Sequence, residues 1–187
     1  MDFYSRLSAS QKYDSSLENC IHQVIEKLEL IDTSTDNPGV LLGKIQSGKT
    51  RGFLGIIAKA FDQDYDIALV FTKGTKTLAK QTVSRITHDF SMFVDDEKLS
   101  IFDIMEIPQR LTKSEINKKI IIVAKKEVKN LDRVINFFSN PNYEGIREKK
   151  VILIDDEADM GSVRFVKKKL KDSKGYKVEQ GSIADKM

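Results

Sequence analysis

The stretch Gly43-Lys44-Ile45-Gln46-Ser47-Gly48-Lys49-Thr50 constrains this chain more than any other. It fits the phosphate-binding loop pattern, a Gly, four free positions and then Gly-Lys-Thr. Each fixed residue has a chemical reason. Glycines let the backbone curl so that successive N–H groups point inward at phosphate oxygens. Lys49 can reach β- and γ-phosphates as a mobile point charge. The Thr50 hydroxyl can ligate Mg²⁺, and a helix starting here adds its N-terminal partial positive charge. Gly43, Gln46, Ser47, Gly48, Lys49 and Thr50 are therefore the candidate nucleotide-binding residues.

The pattern alone occurs by chance, as a glycine-containing turn with an incidental lysine, so context decides. Val40-Leu41-Leu42, announced by Asn37-Pro38-Gly39, predicts a buried strand before the loop. Phe53, Leu54, Ile57 and Phe61 predict an amphipathic helix after it. Strand, loop and helix form the setting that the motif requires.

The rest of the chain alternates in the same way. Residues 1–13 are polar with scattered aromatics and give no clear element. A helix is predicted from Ser15, with Leu17, Ile21, Val24, Ile25 and Leu28 on one stripe and Ser15 and Glu18 as a capping box. Strands are predicted at Asp66–Thr72, Ile101–Ile107, Lys119–Ala124 and Val151–Ile154. Between them fall a helix opening at Thr75, a short helix at Thr112–Asn117 capped by Thr112, and a helix carrying Val128, Leu131, Val134, Ile135 and Phe138. Strands alternating with helices predict an α/β fold, mainly a parallel sheet with helices on both faces.

A chain of 187 residues with 40% apolar content can hold one such domain. A net charge of +3 neither demands nor excludes nucleic acid. The single cysteine, Cys20, rules out an intrachain disulfide, suits a reducing cytoplasm and falls on a helix's apolar face, where core packing is its expected role. No apolar run is long enough to span a bilayer, and the N-terminus does not read as a signal peptide. After Gly161 the pattern fades into a basic stretch with Lys167, Lys168, Lys169, Lys171, Lys174 and Lys177. It reads as a solvated tail, with a nucleic-acid contact as the sharper alternative.

The last predicted strand runs straight into Asp155-Asp156-Glu157-Ala158-Asp159. A nucleotide hydrolase needs one carboxylate for the metal that Thr50 begins to coordinate, and a second to orient or deprotonate water. Parallel strands place their C-terminal ends on one rim, where ligands bind. A surface acidic turn is the bland alternative.

Asp156-Glu157-Ala158-Asp159 after an apolar strand resembles motif II of DEAD-box and related superfamily 2 helicases. Gly43 to Thr50 is similar to their motif I, and Thr75, Leu78, Ala79, Gln81 and Thr82 resemble motif Ia. Ile121-Ile122-Val123-Ala124 looks like the strand leading to motif Ib. In detailed wording the chain resembles most the helicase-like ATPases of bacterial restriction and phage-defence systems. The resemblance implies a RecA-like domain that binds ATP and Mg²⁺. Lys49 would bind the β,γ-phosphates, Thr50 and Asp156 would hold Mg²⁺, Glu157 would be the catalytic base, and Asp159 would couple the site to later motifs. Lys73, Thr75, Lys125 and Lys126 would face a nucleic-acid backbone.

The chain departs from the family pattern in four places. No adenine-reading Q motif precedes residue 43, Lys125-Lys126 stands where DEAD-box proteins have Thr-Pro-Gly, and motif III and the second RecA-like domain, which carries the arginine finger, are not found. The resemblance therefore implies the N-terminal part of a longer, DNA-dependent motor that hydrolyses ATP weakly alone, with a nuclease or methylase as companion. It also implies an open slot in the sheet between the Val40–Leu42 and Val151–Ile154 strands. The expected organisation is a helical extension at 1–36, a RecA-like ATP-binding domain at 37–160, and a basic tail or the start of the remaining motor at 161–187. The rival readings are a stand-alone P-loop nucleotide-binding module without nucleic-acid activity and, third, a nucleotide or small-molecule kinase, for which no Arg-rich lid is found.

Overall fold

The computed structural model describes residues 2–31, 33–34, 37–41, 49–72, 76–143, 145–156, 163–169 and 176–182. Its centre is β1, Ile67–Thr72, which is buried at every position. A strand covered on both faces reads as a continuous apolar run, and this one does. β1 pairs in parallel with β3 (Lys119–Lys125) on one side and with β4 (Val151–Asp155) on the other. β2 (Leu99–Asp103) pairs in parallel with β3, giving the order β2-β3-β1-β4.

Because side chains alternate along a strand, the sheet feeds two cores. Ala68, Val70, Ile121, Val123 and Ile152 face a helical layer built from α1 (Phe3–Gln11), α2 (Ser15–Leu30), α3 (Lys49–Asp62), α4 (Lys76–Asp89) and α5 (Ser91–Asp95). Phe3, Leu7, Ile21, Ile25, Leu54, Ile57, Ile86 and Phe93 fill that side. Ile67, Leu69, Phe71, Ile120, Ile122 and Ala124 face the other way, against Leu131, Val134 and Phe137 of α7 (Val128–Ser139). A short helix, α6 (Lys113–Asn117), starts on the expected Thr112 cap, closed by Glu115 as a capping box.

Helix α1 is the element that the sequence left open. Its length is marginal for an isolated helix, and tertiary contacts hold it. Asp2 accepts from Ser5 N–H, and the Asp62 carboxylate at the end of α3 accepts from Phe3 and Tyr4 N–H at 2.9 Å each. Helix α2 starts as predicted, but its cap is Asp14, whose carboxylate accepts from Leu17 N–H at 2.9 Å, not a Ser15–Glu18 box. Cys20 is half-buried.

Four other expectations are corrected. Strand β2 begins at Leu99 and ends at Asp103, because the Asp103 carboxylate accepts from Met105 N–H at 2.8 Å and turns the chain. On α7 the buried stripe runs through Leu131, Val134 and Phe137, leaving Val128 and Ile135 exposed. Val40 and Leu41 lie in no strand and are exposed, at 74% and 44%. So short a run gains few ladder bonds, too few to offset the entropy of ordering it; Leu42 lies outside the described residues. The basic segment is not wholly irregular. β5 (Val163–Lys169) and β6 (Tyr176–Ser182) form a separate antiparallel pair.

The expected open slot needs two strands, and with Val40 and Leu41 in none only the outer edge of β4 is left. Among the described residues no strand lies beyond it. Ile152 is buried and Ile154 half-buried toward the helical layer, while Val151 and Leu153 on the opposite face are 36% and 54% exposed.

At the opposite end of the sheet, Asp66 ties three strands together. Its main chain bonds Lys150 O (2.8 Å) and Ile120 N–H (2.9 Å). Its carboxylate accepts from Lys119 Nζ and Lys150 N–H, both at 3.2 Å. Burial pushes this carboxyl up, but the bonds from Lys150 and Lys119 and the charge of Lys149 outweigh it and hold it below the usual range. A depressed folded value means stability that is present above the unfolded pKa of about 3.9 and lost as pH falls through the folded value. Asp66→Asn is expected to cost about 1–3 kcal/mol at pH 7 and to flatten the acid limb of stability against pH. Urea titrations from pH 7 down to pH 3 check this, and parallel curves for the two proteins would contradict it.

Candidate nucleotide-binding site

Helix α3 opens at Lys49, immediately after the glycine-rich stretch. Gly43, Gln46, Ser47 and Gly48 lie outside the described residues, so the loop itself is known here only as sequence. What the structure adds is how the start of α3 is held. Tyr13 Oη donates to Arg51 O at 2.9 Å while the Arg51 guanidinium stacks 5.1 Å over the Tyr13 ring. Burial pushes the Tyr13 phenol up to about 12 against the opposing pull of Arg51, so it remains a donor at physiological pH. Arg51 also donates to Gln11 O and Lys12 O at the end of α1. The segment joining α1 to α2 thus clasps the first turn of α3. Farther along, Gly55 permits close packing: a Cβ there would sit 2.3 Å from Ile21 Cδ1 of α2.

Thr50 is half-buried, and its hydroxyl accepts from Arg85 Nη1 of α4 at 3.2 Å. Nothing in the sequence alone points to Arg85. It sits on the exposed side of α4, and only the folded chain brings it to Thr50, 35 residues away in sequence.

The second group lies on the C-terminal rim of the sheet. The register sets Thr72 beside Lys125 and Phe71 beside Asp155. Lys126 N–H donates to Thr72 O, and Asp156 N–H donates to Phe71 O, both at 2.9 Å. The structure therefore brings together Thr72, Lys125, Lys126, Asp155 and Asp156. Thr72 Oγ1 is buried with no hydrogen-bond partner among the described residues, a cost that a ligand or water at the rim would relieve. Glu157, Asp159, Lys73 and Thr75 lie outside the described residues.

Lys125 and Lys126, expected to face a nucleic-acid backbone, are both buried and engaged with carboxylates. Lys125 Nζ lies 2.8 Å from Glu127, with its side chain 10% exposed. Lys126 Nζ lies 2.7 Å from Asp155 Oδ1, with its side chain 2% exposed. The second pair links the turn after β3 to the end of β4. Asp156, the next residue, is half-buried on the same rim. Doubled acids were visible in the sequence, but nothing in it paired Asp155 with a lysine.

The oxygen donors present suit Mg²⁺. It takes one or two carboxylates plus phosphate oxygens and keeps several waters, and the Thr50 hydroxyl and Asp156 carboxylate are donors of that hard type. Among the described residues no group of three or more His, Cys, Asp or Glu forms a metal site by itself. An open groove of about 240 Å³, lined by Lys80, Val83, Ser84, Asp103 and Glu106, contains none of the predicted site residues. Among the described residues no helix is long and apolar enough to cross a membrane.

These features define an α/β domain with a four-stranded, all-parallel sheet flanked by helices, compatible with a RecA-like fold. Comparison with protein-family models, with curated proteins and with solved structures gave no match.

The Lys126–Asp155 pair has a stability consequence. Removing one partner leaves a charge with little water around it, at a cost on the order of 3 kcal/mol. Lys126→Met is expected to lose about that much, and adding Asp155→Asn should recover part of it. Urea unfolding of both singles and the double closes the cycle; simple additivity would show that the two charges are not coupled.

Proposed function

We propose that this chain is the ATP-binding part of a helicase-like, DNA-dependent ATPase of the superfamily 2 kind, at work in restriction or phage defence beside a nuclease or methylase. The observation that carries the reading is the presence of two features in one α/β domain. A helix opens on the Lys of a Gly-Lys-Thr loop, and a strand ends in adjacent acids on the rim where such sheets bind ligands.

In this reading Lys49 neutralises the β- and γ-phosphates of ATP, and the loop amides cradle them. The Thr50 hydroxyl and the Asp156 carboxylate would hold Mg²⁺, which would supply charge neutralisation at the phosphates. Glu157 orients the attacking water and takes its proton. Tyr13 and Arg51 fix the first turn of α3, and hence the direction in which Thr50 is presented. A second RecA-like domain would complete the site.

One observation favours the second reading, a P-loop module that binds nucleotide without touching nucleic acid. Lys125 and Lys126 already neutralise carboxylates, so their charge is spent within the domain. DNA-dependence of nucleotide binding or turnover separates the two.

Lys49→Ala is expected to weaken Mg-ATP binding about tenfold or more. Glu157→Gln is expected to leave binding intact and to slow hydrolysis by about 10²–10⁴-fold, measured in a form that turns over. Calorimetry and phosphate release are the measurements. Equal Mg-ATP affinity in wild type and Lys49→Ala would sink the nucleotide site, and unchanged turnover in Glu157→Gln would remove Glu157 as the base.

A further inference from the structure

We propose that Arg85 reads the terminal phosphate: its guanidinium holds the Thr50 hydroxyl while the site is free of nucleotide and moves to the γ-phosphate when ATP arrives. This rests on the reading of Lys49 and Thr50 as a triphosphate site. The geometry is a single contact, Arg85 Nη1 to Thr50 Oγ1 at 3.2 Å, between residues 35 apart on α4 and α3. Its setting makes it informative. Arg6, Lys119, Lys125 and Lys126 each meet a carboxylate, and Arg51, Arg133 and Arg147 donate to main-chain oxygens. Among the described residues Arg85 forms no ion pair, and its bond is to a neutral hydroxyl. A guanidinium stays charged at every physiological pH and presents a planar fork of donors. An unneutralised cation of that shape, resting on the hydroxyl of a Gly-Lys-Thr sequence, is matched to a phosphate.

Charge explains why it must move. Mg²⁺ sits about 2.0–2.1 Å from its oxygen ligands, so metal and guanidinium on one hydroxyl would face each other as close like charges. Binding of one displaces the other. ATP offers the displaced guanidinium a destination, because γ-phosphate oxygens accept its paired donors. ADP offers none at that position. Arg85 thus separates the two nucleotides within this chain: it opposes Mg-ADP, which only evicts it, and supports Mg-ATP, which rehouses it.

The test is calorimetry of Mg-ATP and Mg-ADP with the 187-residue chain as wild type, Arg85→Ala and Arg85→Lys. Arg85 is exposed, so the variants are expected to fold, which circular dichroism checks. Arg85→Ala should weaken Mg-ATP about tenfold or more and leave Mg-ADP unchanged or tighter, so the preference for ATP falls. Arg85→Lys, which keeps the charge and loses the fork, should recover part of that preference. An unchanged ATP-to-ADP ratio in a folded Arg85→Ala overturns the proposal. Lys49→Ala measured alongside separates the two levels. If it weakens both nucleotides while Arg85→Ala leaves the ratio alone, the phosphate site stands and the role of Arg85 falls. If it changes neither, or wild type binds neither, the site itself falls and Arg85 with it.

Discussion

The parallel pairing of β1 with both β3 and β4 is the constraint on which everything else hangs. Every residue of β1 is buried, so its amides and carbonyls have no water to fall back on and must be satisfied by neighbouring strands. Those strands run the same way, which sends every connection back across a face of the sheet as helix. It also collects the C-terminal ends of the strands on one rim. Thr72, Lys125 and Asp155 are neighbours there for that reason alone, though they are far apart in sequence.

The two ends of the sheet are chemically different. At the N-terminal ends Asp66 is ringed by Lys119, Lys149 and Lys150 N–H, and its carboxylate stitches three strands. At the C-terminal ends the arrangement is less complete. Among the described residues Thr72 Oγ1 is buried without a partner, and Lys126 and Asp155 neutralise each other beside Asp156. A fully satisfied end reads as structure, whereas an end that carries an unmet polar group beside acids reads as a place for a ligand. The start of α3 shares that character, since among the described residues Arg85 meets Thr50 without a countercharge.

What the sequence made legible follows from how local each signal is. β1, β3 and β4 were readable because continuous apolar runs state their own burial, and α6 because Thr112 and Glu115 cap it within one turn. Helix α1 was not, since the carboxylate that caps its first amides is Asp62, 59 residues away. The Val40–Leu41 strand failed for the opposite reason: its apolar residues were local, but a strand also needs a neighbour. On α7, helical spacing allowed two adjacent stripes, and only the position of β3 chose Phe137 over Ile135. At the site, the sequence named Lys49, Thr50 and the acids by type and order. It could not show that α4 delivers Arg85 to Thr50, or that Lys126 turns inward to Asp155, because those pairings exist only once the sheet is assembled.

The central claim is that the start of α3 and the acids after β4 belong to one Mg-nucleotide site. Hydrogen–deuterium exchange with and without a Mg-bound, non-hydrolysable ATP analogue tests it most directly, because it reads both places in one experiment. The account predicts slower exchange on ligand addition in peptides spanning 43–52 and, together with them, in peptides spanning 153–159. Exchange that is unchanged in both, or protection at 43–52 with none at 153–159, would contradict it.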